Sequence, residues 1–214
     1  MQQLRTLGVA LIAIFAVAVG ASASAAAAEC PGTGEGVALC SGGHELEGTF
    51  AFTGKSVGAK QVEVGGLAGP TCTASKASGQ LVATKGSVEV ADLSSEWSKC
   101  SITGEASCKV KPIVLGEDGG FSSVLANPGE LTLSRLTGNP FAVVSISGCL
   151  KSTEWTVRGI QRCKLPSSTV EALAHEILCQ KSGSELKVGA KAASLESEEE
   201  ITLVSGKEFS LQKA

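Results

Sequence analysis

Eight cysteines are the feature of this sequence that most constrains its fold. They form an even set, and none of them lies in the apolar N-terminal stretch. An even number of cysteines in an exported chain is typical of a disulfide framework rather than of metal ligands or reactive thiols. The eight candidates for disulfide bonding are Cys30, Cys40, Cys72, Cys100, Cys108, Cys149, Cys163 and Cys179.

The N-terminus has the composition of a secretory signal peptide. Arg5 is followed by the apolar run Leu7–Val19 and then by a stretch of alanine and serine. This order of a basic, an apolar and a small-residue region predicts cleavage between Ala25 and Ala28. We therefore expect a protein of the extracellular space or cell envelope, without a stable membrane span once the signal peptide is removed. An uncleaved anchor is the alternative, because Leu7–Ala28 is long enough to cross a bilayer.

Charge and aromatic content exclude two classes of function. The chain has a formal net charge of −3 and no cluster of basic residues, so it lacks the electrostatic signature of nucleic-acid binding. It has no tyrosine and two tryptophans, too few aromatic rings for the usual stacking platform under bases or sugars. Few aromatic residues also mean less buried area per side chain, which disulfides of about 2–4 kcal/mol each can offset.

From Glu45 onward, apolar and polar residues alternate in short runs separated by Gly, Pro, Asn and Ser. This pattern predicts strands, and turn signals at short intervals favour an antiparallel β-sandwich or barrel-like domain. We predict a mainly β fold stapled by disulfides, with at most one short helix near 169–179. The predicted organisation is a signal peptide at 1–28, a disulfide-looped N-terminal segment at 29–44 and a single β-rich domain at 45–214.

Two predicted elements go beyond simple alternation. The run Phe141–Ile146 is densely apolar and predicts a central strand buried on both faces. Near the C-terminus, Ile201–Val204 and Glu208–Leu211 flank Ser205–Lys207, which contains a glycine, and this spacing predicts a hairpin.

The sequence of the segment 169–179 is compatible with two predictions, a helix and a strand. Val170, Leu173, Ala174, Ile177 and Leu178 follow helical spacing, and Ser168 with Glu171 resembles a capping box. The alternative is a strand from Ala174 to Gln180 that places His175, Ile177 and Cys179 on one face.

Candidate catalytic residues are few. Gly54–Gly58 matches the G-x-S-x-G nucleophile elbow by letter, with Ser56 as the serine, but no helix pattern follows it. His44 and His175 are the available imidazoles, and the sequence H-E-x-x-C at His175 lacks the second histidine of a zinc-protease motif. We favour a turn between strands at Ser56 and predict no catalytic site and no cofactor.

The acidic run Ser194–Glu200 carries four glutamates. A cation site is one interpretation, but calcium sites usually include aspartate, asparagine and glycine, which are absent here. We therefore favour a solvated edge or turn and predict no metal site.

Three stretches resemble a known group of proteins: Ser184–Leu211 (SELKVGAKAASLESEEEITLVSGKEFSL), Cys100–Cys108 (CSITGEASC) and Phe141–Cys149 (FAVVSISGC). They are similar to a paralogue-rich group of small exported β-rich proteins from soil actinobacteria. The chain departs from that pattern at Ala190, where the group tends to have a second glycine. The resemblance implies export and an all-β fold, implies nothing catalytic, and favours the strand reading of 169–179.

These observations lead to one predicted set of bonds and one leading function. We expect disulfides Cys30–Cys40, Cys100–Cys108 and Cys163–Cys179, which close short loops, and the remaining pair Cys72–Cys149. We expect a monomeric, non-enzymatic structural or binding protein with an extracellular or envelope partner. The alternatives are a secreted serine hydrolase that uses Ser56 with a histidine, and a small-ligand-binding module, which a large concave apolar pocket would favour.

Overall fold

The computed structural model describes Cys30 and residues 35–116, 120–135, 139–149 and 153–214. Within these ranges the protein consists of strands and turns without a helix, so the predicted mainly β fold is confirmed. The predicted signal peptide at 1–28 lies outside the described part of the chain. Among the described elements, no helix has the length and apolar character needed to cross a membrane.

The described residues form seventeen strands in chain order. They are β1 Val37–Ser41, β2 His44–Leu46, β3 Gly48–Ser56, β4 Lys60–Val64, β5 Leu67–Thr84, β6 Ser87–Ser101, β7 Lys109–Val110, β8 Ile113–Leu115, β9 Phe121–Val124, β10 Glu130–Ser134, β11 Ala142–Ser147, β12 Thr153–Arg158, β13 Ile160–Lys164, β14 Ala174–Ser184, β15 Leu186–Val188, β16 Lys191–Leu203 and β17 Ser210–Lys213.

The larger of the two sheets closes on itself. Hydrogen-bonded pairs run from β3 through β5, β6, β8, β11, β12 and β15 to β16, which pairs again with β3. Strands β14, β13 and β10 continue outward from β16, whereas β17, β1 and β2 form a separate three-stranded sheet. Because the ring of pairs leaves few free edges, the fold is barrel-like, one of the two predicted architectures.

Strand β16 holds the ring together because it changes partners along its length. On one edge it pairs with β4 through Ala193–Glu196 and then with β3 through Glu199–Leu203. On the other edge it pairs first with β15 and then with β14. A strand that is paired on both edges is central, so its side chains are shielded by neighbours on both sides.

One end of the ring is closed by the three-stranded sheet. The turn between β5 and β6 contains Gly86, whose N–H donates to the Glu45 carboxylate at 2.9 Å. Gly36 lies against the same turn with φ +108°, and a Cβ on it would lie 2.1 Å from the Gly86 carbonyl oxygen. Val37 and Leu39 of β1 are fully buried in the common core, so their side chains fill this end of the ring.

The structure decides the ambiguous segment in favour of the strand. Strand β14 begins at Ala174, and His175, Ile177 and Cys179 are buried on one face, as the strand alternative predicts. The helical spacing is therefore misleading. The expected capping residues serve other partners, because Ser168 Oγ donates to Pro128 O at 2.5 Å and Glu171 accepts a hydrogen bond from Gly42 N at 2.5 Å.

Three further expectations are corrected. The C-terminal hairpin does not form, because β17 pairs with β1 at the closed end and not with β16. Strand β11 is present but has only one fully buried face, since Val143 and Ser145 are half-buried on the other. The predicted loop at 29–44 contains β1, whose apolar residues face the core.

Candidate functional site

Strand register determines the disulfide pairing. All eight cysteines are bonded, and Cys30–Cys40 and Cys163–Cys179 are present as predicted. The other two predicted pairs, Cys100–Cys108 and Cys72–Cys149, are wrong. The bonds are Cys72–Cys100, whose Cα atoms are 3.9 Å apart, and Cys108–Cys149, whose Cα atoms are 4.7 Å apart.

The reason for the correction is geometric. Cys72 of β5 and Cys100 of β6 are directly opposite each other in the register of their hairpin. Cys108 reaches Cys149 because β7 pairs with β11, with Lys109 opposite Ser147. Loop length, on which the prediction relied, carries no information about register. Four disulfides are typical of a protein in an oxidising, extracellular environment.

The end of the ring opposite the three-stranded sheet contains an open apolar groove with a volume of about 900 Å³. It lies among the β4–β5 and β15–β16 turns, residues at the adjoining ends of β11 and β12, and the connection after β6. Ligand pockets have volumes of this order, and the mouths of barrels are a common position for them. The groove is lined by Val64, Leu67, Ala68, Gly69, Ile102, Glu105, Cys108, Ile146, Cys149, Thr153, Trp155, Val188, Ala190 and Lys191.

Trp155 forms one wall of this groove and packs against Gly69 of β5. A Cβ at Gly69 would lie 2.7 Å from Cζ3 of the Trp155 ring and 2.9 Å from the Val62 carbonyl oxygen. The absence of a side chain at position 69 therefore lets the indole ring lie across the start of β5. The partly buried ring is an apolar contact surface beside the aliphatic residues of the groove.

Among the described residues that line the groove, the charges balance. Glu105 and Lys191 contribute one charge of each sign, and Thr153 adds a hydroxyl. Leu67 projects at the lip and is 72% exposed, an unusual position for a leucine beside an apolar groove. The arrangement suits a neutral or weakly polar hydrophobic molecule better than a highly charged one.

Two of the four disulfides support the groove. Cys108–Cys149 is part of its lining, and Cys72–Cys100 joins β5 to β6 just below it. Cross-links at these positions hold the walls in place before any ligand arrives, which reduces the ordering cost of binding.

The structure gives Ser56 a lysine partner instead of a histidine. Ser56 Oγ donates to Gly58 O at 2.7 Å and accepts from Lys60 Nζ at 2.9 Å. Lys60 is fully buried and also donates to Gly58 O at 3.1 Å and to Glu198 O at 2.5 Å. Burial lowers the pKa of Lys60, whereas Glu199 and Glu198 oppose that effect.

A lysine beside a serine can act as a general base when it is neutral. Here each of the three ammonium protons of Lys60 has an acceptor, and two of the acceptors are backbone carbonyls. Val57 N also donates to Glu198 O at 3.1 Å, at the point where β16 changes its partner from β4 to β3. The contacts of Lys60 are those of a residue that joins strands at this junction.

The two histidines lie apart from this serine's contacts. His175 Nε2 is hydrogen-bonded to Phe209 O at 2.6 Å, and its ring packs edge-on against the Phe209 ring with centroids 4.4 Å apart. His44 lies on the exposed β2 strand of the three-stranded sheet. The structure therefore does not bring the predicted serine and histidine together as hydrogen-bonded partners.

The acidic run lies in the middle of the sheet, so the prediction of a solvated edge or turn is wrong. Glu196, Glu198 and Glu200 of β16 are half-buried and Glu199 is buried, where its carboxylate accepts a hydrogen bond from Ser95 Oγ at 2.8 Å. Within the described ranges, no group of three or more histidine, cysteine, aspartate or glutamate side chains is placed to hold a metal ion.

Sequence reasoning did not find the groove. Trp155 was recognisable as an inward strand residue, but nothing local relates it to Gly69, which is far away in the chain. The signal that could have indicated the site is Leu67, an apolar residue that directly follows the turn glycines Gly65 and Gly66 and is exposed in the structure. No family model matches the chain, and neither a curated protein nor a solved structure matches it.

Proposed function

We propose that this protein is an exported, monomeric, non-enzymatic binding protein that takes a hydrophobic small molecule into the groove beside Trp155. The observation that carries the proposal is the groove itself, about 900 Å³ in volume and lined mostly by apolar side chains. Its size is that of a small-molecule site, and its walls combine aliphatic residues, an indole ring and a disulfide.

Export is supported by the composition of the N-terminus and by the four disulfides. The resemblance to exported actinobacterial proteins agrees with the same location. The Cys108–Cys149 disulfide forms part of the groove wall, and such a bond persists in the oxidising environment outside the cell.

The non-enzymatic part of the proposal rests on the lack of a suitable activating group. A serine nucleophile needs a base with a free electron pair, and the Lys60 ammonium already donates to Ser56, Gly58 and Glu198. The groove residues are mostly apolar, and Ser56 is not among those that line it.

Intrinsic fluorescence provides a direct test. The chain has two tryptophans and no tyrosine, and Trp97 is 1% exposed, so Trp155 reports on the groove. Titration of the Trp97→Phe protein with N-phenyl-1-naphthylamine, a neutral apolar probe, should quench Trp155 and raise probe emission with saturation. Probe displacement by long-chain alcohols, fatty acids and sterols would then rank the ligand classes.

Leu67→Glu is the decisive variant, and Val124→Glu is its control. Both residues are exposed aliphatic side chains, at 72% and 63%, but only Leu67 lines the groove. We expect Leu67→Glu to weaken probe binding by about tenfold or more, since it replaces an apolar contact with a charge. Equal affinity in the two variants, or no saturable binding in the wild type, would refute the proposal.

A further inference from the structure

A second cavity, separate from the groove, lies between ring strands such as β6 and β16 and the strands β14, β13 and β10 that continue outward from the ring. It has a volume of about 40 Å³ and shares no lining residue with the groove. Most of its walls are apolar, from residues such as Leu93, Phe121 and Leu195. Polar side chains also line it, and they belong to Ser95, Trp97, Gln161, Ser197 and Glu199.

Some of these polar groups are paired within the protein and others are not. Ser95 Oγ donates to Glu199 Oε1 at 2.8 Å, and Gln161 Nε2 donates to Arg162 O at 3.1 Å and to Gln180 O at 3.0 Å. Trp97 Nε1 and Gln161 Oε1 have no hydrogen-bond partner among the described residues, although each residue is 1% exposed. Buried polar groups are nearly always paired, so these two atoms require an explanation.

The unpaired atoms specify the chemistry of a guest. The indole N–H needs an acceptor and the amide oxygen needs a donor, so the guest must do both. Among the described residues of the lining, Glu199 carries the one carboxylate, which disfavours an anion, while the indole N–H disfavours a cation. A neutral molecule that both donates and accepts hydrogen bonds satisfies all of these conditions.

Size selects among such molecules. A cavity of about 40 Å³ has room for roughly three or four molecules of water, on the basis of roughly 10–15 Å³ for each. We infer that this cavity is an internal hydration site, in which water accepts a hydrogen bond from Trp97 Nε1 and donates one to Gln161 Oε1. The hydration site lies between β6 and β13, two strands that are not paired with each other.

A crystal structure of the wild-type protein, with and without xenon pressurisation, tests the inference. A purely apolar cavity stays dry and can bind xenon, whereas a cavity with unpaired polar groups holds water that is costly to remove. We expect electron density for water within hydrogen-bonding distance of Trp97 Nε1 and Gln161 Oε1, and no xenon. Xenon in the cavity, an empty cavity, or direct pairing of both atoms with protein groups would overturn it.

A solution measurement serves as an independent check. The two tryptophans give two indole N–H resonances, and Trp155→Phe assigns the one that belongs to Trp97. We expect this resonance to show a nuclear Overhauser effect with long-lived water. The effect should persist in Ser95→Ala/Ser197→Ala, which removes the two serine hydroxyls of the lining that could relay it through exchange. Its absence, or its loss in that variant, contradicts internal hydration.

Discussion

Lys60 joins strands through its side chain at a place where the strand pairing changes. It begins β4 and is fully buried, and its ammonium group donates hydrogen bonds to Ser56, Gly58 and Glu198. Here β16 leaves β4 and begins to pair with β3, so the Glu198 carbonyl lies between two ladders. A long side chain with three donors supplies hydrogen bonds at this junction.

The lowered pKa of Lys60 predicts a specific pH dependence of stability. At pH values between the folded-state pKa of Lys60 and its ordinary pKa of 10.5, the unfolded chain binds more protons than the folded one. A rise in pH therefore stabilises the fold through this group, and the gain is complete above the ordinary value. We expect the free energy of unfolding of the wild type to rise relative to Lys60→Met as the pH is raised toward 10.5, and to level off above it.

Urea denaturation across that pH range measures the difference. Lys55→Met, which removes an exposed lysine from the adjoining β3, controls for the loss of a lysine as such. Disulfide exchange does not complicate the alkaline measurements, because all eight cysteines are bonded. Parallel curves for the wild type and Lys60→Met would contradict the prediction.

At the scale of elements, β12 contacts the start of β5 beside the groove. The Trp155 ring occupies the space that a side chain at Gly69 would need. This contact depends on shape rather than on hydrogen bonding, so the smallest possible addition at position 69 tests it.

Gly69→Ala should displace the Trp155 ring, because the added Cβ would lie 2.7 Å from Cζ3 and 2.9 Å from a backbone oxygen. Overpacking of this kind typically costs about 1–3 kcal/mol. We expect lower stability in denaturant titrations and a red-shifted, more readily quenched Trp155 emission. Gly129→Ala is the matched control, since no atom lies within 4 Å of a Cβ at that position. Similar behaviour of the two variants would show that Trp155 does not depend on Gly69.

Local pattern predicted the strands but not their partners. Alternation at Val62 and Val64 or at Trp155 and Val157 correctly indicates which side chains face inward. The prediction of a hairpin at Gly206 is wrong because a turn between two strands does not by itself make them neighbours in a sheet. Strand β17 finds a longer-range partner in β1, and no local feature of either strand encodes that choice.

The same limit applies to the candidate site. The residues of the groove come from several turns that meet only when the ring closes. The sequence of each segment, taken alone, therefore predicts only the end of a strand. The acidic run was misjudged for a related reason. Four glutamates look solvated in the sequence, but β16 is paired on both edges and Glu199 faces Ser95 inside the ring.

The whole molecule has two unlike ends. The three-stranded sheet closes one end, where Cys30–Cys40 joins the N-terminal segment to β1, and the opposite end carries the groove with Cys108–Cys149 in its wall. A disulfide at either end restricts the unfolded chain, so both should contribute to global stability. Only the bond at the groove should also contribute to binding.

Removing one disulfide at a time separates these two roles. Cys30→Ala/Cys40→Ala and Cys108→Ala/Cys149→Ala should each lower the free energy of unfolding by about 2–4 kcal/mol, with the larger loss for the longer loop. Only the second pair should weaken N-phenyl-1-naphthylamine binding, by an expected factor of about ten or more, because it removes part of the lining and frees the walls that it joins.

Both double variants should be titrated at a temperature at which each is folded by circular dichroism, so that affinity is compared between native states. An equal loss of probe affinity in both variants would mean that the closed end is coupled to the groove through the ring. Unchanged affinity in Cys108→Ala/Cys149→Ala would mean that the groove keeps its shape without its disulfide, and that the strand pairing around Trp155 alone is enough to form it.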